Sequence, residues 1–212
     1  AELKKKGIKI FSLHLDKKNK FFNFIKEISK LRKFINTQNP DVIQSWMYHS
    51  NLVTLFIPKI FYHRLFWNIR HSELNVGISK ITTIFVSIIC GLFSKVVPKK
   101  IIYCSEKSIN FHENKHFYSK YKSSLVYNGY SDRSYSPLKH LRSDFRVRNK
   151  IQGSDIIIGY AGRYAKQKNI ASMLLAFSKI TKNYKNVYLY MVGRDINIQN
   201  KELITSVNNL KI

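Results

Sequence analysis

Acidic residues are scarce in this chain: 12 Asp and Glu stand against 37 Lys and Arg in 212 residues, a formal charge of +25. Cysteine is scarcer still, with only Cys90 and Cys104. Neither shows metal-ligand spacing, and two thiols, one in the apolar stretch and one at a strand end, suit a reducing compartment. A long uncharged apolar run is also absent. The most apolar stretch, Ile78 to Val97, is interrupted by Lys80 and Lys95 and carries Thr82, Thr83, Ser87 and Ser94. Its uncharged part, Ile81 to Ser94, is shorter than the ~20 residues a spanning helix needs, so it reads as a buried or interfacial helix. The opening residues hold no apolar core of signal-peptide length, and the expected location is cytoplasmic, at the inner face of the membrane. No internal repeat or low-complexity tract is evident.

What is present is globular. Hydrophobic residues make up 44% and aromatic residues 14% of the chain, enough for one good core or two small ones. The positive charge invites an anionic partner. Lys residues are spread over every predicted element, and no recognised nucleic-acid motif or aromatic-and-arginine stripe appears, which argues against nucleic acid. An anionic membrane surface fits better, since each Lys or Arg near one contributes about 1 kcal/mol.

Short apolar runs alternate with helical patterns. Strands are predicted at Ile8–Leu13, Val42–Ser45, Phe66–Arg70, Lys100–Cys104, Leu125–Tyr127, Ile156–Tyr160 and Tyr188–Val192. Phe21 to Ile35 carries a one-sided apolar stripe of Phe21, Phe24, Ile25, Ile28, Leu31 and Ile35 that should pack on a sheet. This is a parallel α/β layout. Between Pro137 and Gly153 the chain turns basic and polar, which places a domain junction there, with domains over 1–136 and 137–212. The opening reads as the end of a helix and the close as the middle of one, so a piece of a longer protein is expected.

The most informative stretch is Ile156-Ile157-Ile158-Gly159-Tyr160-Ala161-Gly162-Arg163-Tyr164-Ala165-Lys166-Gln167-Lys168-Asn169. A strand stops at Gly162-Arg163, and Asn169 stands where it can cap a helix from Ile170 to Ile180. A loop and helix start of this kind turn backbone N–H groups outward, and Arg163 and Lys168 add two charges suited to a pyrophosphate. No Gly-Lys-Ser/Thr closes the loop and it lacks Gly-x-Gly-x-x-Gly spacing, so a P-loop or dinucleotide site is disfavoured. Taken alone, the loop fits a plain turn with solvated Arg and Lys equally well. His49, Arg70, His71 and Ser105 also fall at or just after strand ends, where open parallel sheets bind ligands. His49 and His71, beside aromatic residues, fit packed rings as readily as functional ones. Asn128-Gly129 tolerates positive φ and suits a crossover turn.

His112-Glu113-Asn114-Lys115-His116 satisfies the zincin pattern His-Glu-x-x-His. A third ligand is what fails. After Glu113 no Glu occurs before Glu202; Asp132, Asp144 and Asp155 are the nearer candidate carboxylates and Asp195 lies further on, and the two histidines read as partly exposed helix residues.

Gly162-Arg163-Tyr164-Ala165-Lys166-Gln167-Lys168-Asn169, with the later Val192-Gly193-Arg194-Asp195, resembles the start of the donor domain in retaining glycosyltransferases of family 4. Upstream, Val126-Tyr127-Asn128-Gly129 with Tyr135-Ser136-Pro137 resembles that family's interdomain segment, and Ile102-Tyr103-Cys104-Ser105-Glu106 its strand ending in Ser-Glu. Asp41-Val42-Ile43-Gln44-Ser45-Trp46-Met47-Tyr48-His49-Ser50-Asn51, followed by Trp67-Asn68-Ile69-Arg70-His71-Ser72, is similar to the variety found in polysaccharide-assembly members. Ser131 departs from the family's usual Asp, although Asp132 is adjacent.

The resemblance implies a GT-B fold of two Rossmann-like domains, the second incomplete here. It implies retaining transfer of a hexose-type sugar from a nucleoside-diphosphate donor to a glycan or lipid-linked acceptor, in cell-surface polysaccharide synthesis, with no metal and no cofactor. It places His49 towards the transferred sugar and Gly162, Arg163 and Lys168 on the donor diphosphate. Arg70, His71, Ser105, Glu106, Asn128 and Gly129 become cleft candidates. The 212-residue piece alone is expected to be inactive. Two other readings stay open: a noncatalytic basic module for membrane or polyanion, and a sugar-phosphate-binding protein.

Overall fold

The computed structural model describes residues 5–13, 20–131 and 138–212. The chain forms two compact units, Ala1–Gly129 and Tyr130–Ile212. In the first, four strands run parallel in chain order: β1 (Ile43–Trp46), β2 (Leu65–Ile69), β3 (Lys100–Tyr103) and β4 (Ser123–Leu125). Parallel neighbours need crossovers. α1 (Lys20–Gln38) leads into β1; α2 (Tyr48–Thr54) with a 3₁₀ turn at Lys59–Arg64, α3 (Ile81–Phe93) and α4 (Glu106–Lys115) connect the strands. Trp46 pairs with Asn68, Ile69 with Tyr103, and Tyr103 with Leu125, so the carboxyl ends of all four strands line up at one edge.

β2 is buried almost throughout, as a central parallel strand with both faces covered should be. Leu65, Trp67 and Ile69 pack with Tyr48, Ile101, Tyr103, Cys90 and Tyr118 in the main core. Full burial of a Leu or Ile such as Leu65 or Ile69 contributes about 1.5–3 kcal/mol. α3 turns Ser87, Cys90 and Gly91 inward. Gly91 is required there, because a Cβ would collide with the backbone carbonyl of His116.

The second unit holds α5 (Lys139–Arg148), β5 (Ile156–Ala161), α6 (Ile170–Asn183), β6 (Val187–Val192) and α7 (Lys201–Leu210). β5 and β6 pair in parallel, from Ile156 opposite Val187 to Ala161 opposite Val192. Ile170, Leu174 and Leu203 form its small core, flanked by Tyr160, Met173, Leu189 and Met191. The basic stretch expected to mark the junction contains helix α5, whose Arg146 holds the carbonyls of Gln152 and Asp155.

Four expectations need correcting. Ile8–Leu13 is not a strand; Ile8, Ile10 and Phe11 are exposed, and among the described residues no strand pairs with the segment. The stripe on α1 is narrower than its sequence suggests: Ile28 and Ile35 are buried with Leu31 partly so, while Ile25 faces water. The fourth strand lies at Ser123–Leu125 rather than Leu125–Tyr127, although Val126 N–H still donates to the Tyr103 carbonyl at 2.9 Å. His112 and His116 are buried rather than partly exposed. The His112 ring accepts from or donates to Tyr48 Oη at 2.8 Å through Nε2 and meets the Ser108 carbonyl at 2.7 Å through Nδ1. Because that carbonyl can only accept, Nδ1 carries the proton and Nε2 accepts from Tyr48. His116 Nδ1 bonds Ser87 Oγ at 2.8 Å, and Glu113 accepts from Ser123 Oγ at 2.6 Å. Among the described residues no three His, Cys, Asp or Glu are grouped as a metal site.

Candidate functional site

At the carboxyl edge of the first unit's sheet, Met47 carries the turn from β1 into α2. Its backbone, at φ 71 and ψ 165, lies in a region that glycine favours, and strained backbone of this kind clusters at functional sites. Its N–H donates to the Asn68 carbonyl at 2.9 Å, which fixes the turn to β2. Polar bonds then seat α2 on the sheet. Ser45 Oγ donates to Asn51 Oδ1 at 2.6 Å, Trp67 Nε1 to Thr54 Oγ1 at 2.9 Å, and Asn68 Nδ2 to the Ser45 carbonyl at 3.1 Å. With Tyr48, Asn51 and Thr54 facing inward, His49 and Ser50 stay exposed. His49 lines a hollow of about 500 Å³ with Trp46, Gln44 and Val53.

Arg70 follows β2. Its guanidinium lies 4.6 Å from the Trp46 ring centroid, and Nη1 donates to Asn128 Oδ1 at 2.8 Å. Its Nε is buried and has no hydrogen-bond partner among the described residues. His71 is exposed, its ring lies 5.8 Å from that of Tyr48, and its carbonyl accepts from Ser108 Oγ at 2.6 Å. Ser105 is the N-cap of α4, accepting from Ser108 N–H at 3.2 Å, and Glu106 lies in that helix's first turn, where a carboxylate suits the dipole. Neither Asn128 nor Gly129 adopts positive φ, contrary to the expected turn geometry; the Asn128 side chain instead holds Arg70. Tyr135-Ser136-Pro137 and Asp132 lie outside the described residues.

In the second unit the loop from β5 to α6 is clamped to the end of β6. Gly162 N–H donates to the Val192 carbonyl at 2.9 Å and Tyr164 N–H to the Arg194 carbonyl at 2.8 Å. Gly193, at φ +147, sits so close to the Gly162 carbonyl that no side chain would fit. A 3₁₀ turn at Lys166–Lys168 leads to Asn169, which is left-handed at φ 47. Asn169 does not cap α6 as expected: its Oδ1 accepts from Ser172 Oγ at 2.9 Å, and no backbone N–H bonds it. The first N–H groups of α6 are thereby left for another acceptor. Arg163 and Lys168 are exposed, and among the described residues neither pairs with a carboxylate. A hollow of about 560 Å³ beside the loop is lined by Tyr164, Ala165, Lys166, Asn169, Ile170 and Glu202; Arg163 and Lys168 do not line it.

Trp46 is the site residue that sequence reasoning missed. It lies within a matched motif, yet nothing in its spacing shows that it meets Arg70.

The fold is GT-B, an α/β architecture of parallel-sheet units. No protein-family model and no curated protein sequence matches the chain. Among solved structures, Anabaena HepE in complex with UDP matches at TM-score 0.69 and 16% identity, over 88% of this chain and 49% of its own. A glycosyltransferase from Rickettsia africae matches at 0.67 and 15%, over 99% and 54%. Sucrose-phosphate synthase from Thermosynechococcus elongatus matches at 0.68 and 13%, over 93% and 49%. The chain thus spans about half the length of these neighbours. At such identities the likeness is one of fold.

Proposed function

We propose that the chain is part of a retaining glycosyltransferase of family 4, which moves a hexose-type sugar from a nucleoside-diphosphate donor to a glycan or lipid-linked acceptor in cell-surface polysaccharide synthesis. The observation that carries this reading is the β5–α6 loop. It is held to β6 through Gly162 and Gly193, opens onto uncapped N–H groups of α6, and carries two cations that pair with no carboxylate among the described residues. Such a loop suits a diphosphate, which is the leaving group of the reaction. Arg163 and Lys168 stabilise the charge that grows on it as the glycosidic bond breaks, in the role a divalent cation plays elsewhere. In the first unit, His49 faces the transferred sugar, and the Trp46–Arg70–Asn128 group belongs to the acceptor side.

Nucleotide titration followed by amide NMR tests the loop. UDP or GDP should shift Gly162, Arg163 and the first amides of α6, and Arg163→Ala or Lys168→Ala should weaken binding. Shifts confined to residues away from this loop, or none at millimolar nucleotide, would remove the assignment.

A further inference from the structure

α3 presents two unlike sides. Ser87, Cys90 and Gly91 lie against the core, while Ile81, Phe85 and Leu92, spaced four and seven residues apart, share the opposite side with 75%, 63% and 59% exposure. Val96, in the turn after the helix, continues that side at 70%. Val76 and Ile78, before the helix, are exposed too. This is a contiguous apolar strip on a chain of +25, so a second copy approaching it meets like charge.

The charges around the strip say what covers it. Between Glu73 and Glu106 no acidic residue occurs, while Lys80 and Lys95 bracket the helix and Lys99 and Lys100 follow it. A 13-residue helix is about 20 Å long, too short to cross a bilayer, and no helix among the described residues can do so. It can lie in the interface, with apolar side chains below the headgroups and lysines at their level.

We infer that the exposed side of α3 seats this protein on an anionic lipid bilayer. Ile81, Phe85, Leu92 and Val96 enter the acyl boundary, and Lys80, Lys95, Lys99 and Lys100 pair with headgroups, each strengthening binding about fivefold.

Vesicle sedimentation of the full chain tests this. Wild type should bind phosphatidylcholine vesicles containing one-quarter phosphatidylglycerol, and 0.5 M salt should release it. Phe85→Glu with Leu92→Glu should weaken binding at least tenfold, whereas Ile198→Glu with Val192→Glu, two exposed changes of equal charge in the second unit, should bind more than threefold tighter than that pair. Lys80→Gln with Lys95→Gln, which disturbs no packing, should weaken it about 25-fold at low salt. Equal binding to pure phosphatidylcholine without a salt effect would overturn the proposal. So would an unchanged affinity of the Phe85/Leu92 pair, or wild-type self-association through this face with no vesicle binding.

Discussion

Arg70 Nη1 stands 2.8 Å from Asn128 Oδ1, so a residue from the end of β2 reaches past the end of β3 to one beyond β4. On its other side the same guanidinium covers the Trp46 ring at the end of β1. One side chain thus fastens the carboxyl ends of three strands and holds a cation where ligands of open parallel sheets sit.

Arg70→Ala should lower stability by about 2–4 kcal/mol, the sum of one charge-assisted hydrogen bond and one part-exposed cation–π contact. Arg70→Lys should recover less than half of that, because an ammonium cannot stack and bond in one plane as a guanidinium does. Urea denaturation checks both; full recovery by Lys would show that charge alone matters.

Burial holds the His112 imidazole down to about 4 from an ordinary 6.5. The folded protein keeps this ring neutral down to about pH 4, while the unfolded chain protonates it below about 6.5. Above pH 6.5 the group costs nothing; as pH falls towards 4 it withdraws about 1.4 kcal/mol of stability per pH unit, and below 4 no more. His116, also lowered by burial, acts in the same direction. Urea midpoints between pH 7 and pH 4.5 should fall accordingly, and His112→Gln should flatten the slope while costing about 1–3 kcal/mol at pH 7 through the Tyr48 hydroxyl it disturbs. A slope unchanged by His112→Gln would refute the assignment.

Gly91→Ala should be among the most damaging single-methyl changes in the chain, since the new Cβ meets the fixed His116 carbonyl; a loss of about 3 kcal/mol or more is expected. Gly159→Ala, with open space around it, should stay within about 0.5 kcal/mol. Gly193→Ala should leave the first unit's unfolding untouched but displace the β5–α6 loop, and nucleotide binding with it. Thermal unfolding of the three variants distinguishes these outcomes.

Much of the fold was legible because buried parallel strands are short apolar runs. Phe66–Arg70 was expected and Leu65–Ile69 found; Ile156–Tyr160 was expected and Ile156–Ala161 found. Ile8–Leu13 has the same look and fails, because strand character also depends on a neighbour that the local sequence does not record. The histidines of His112-Glu113-Asn114-Lys115-His116 enclose polar residues, yet they are buried and bond Tyr48 and Ser87, far away in sequence. Likewise Trp46, Arg70 and Asn128 meet only through the registers of β1 to β4, which no local pattern encodes. The β5–α6 loop stood out in the sequence because Gly162, Arg163 and Lys168 fall in one short segment between a strand and a helix. The role of Gly193 was not, as it depends on the parallel pairing of β5 and β6.

In the proposed reaction Arg163 and Lys168 stabilise a departing nucleoside diphosphate. The most direct measurement is sugar transfer by the natural gene product that contains this chain, with a panel of nucleoside-diphosphate sugars, for wild type, Arg163→Ala and Lys168→Ala. Each variant should lose about 10²–10³ in kcat with its fold intact, the usual cost of one preorganised donor at a developing charge. Near-normal rates in both variants would rule out that role for the two cations.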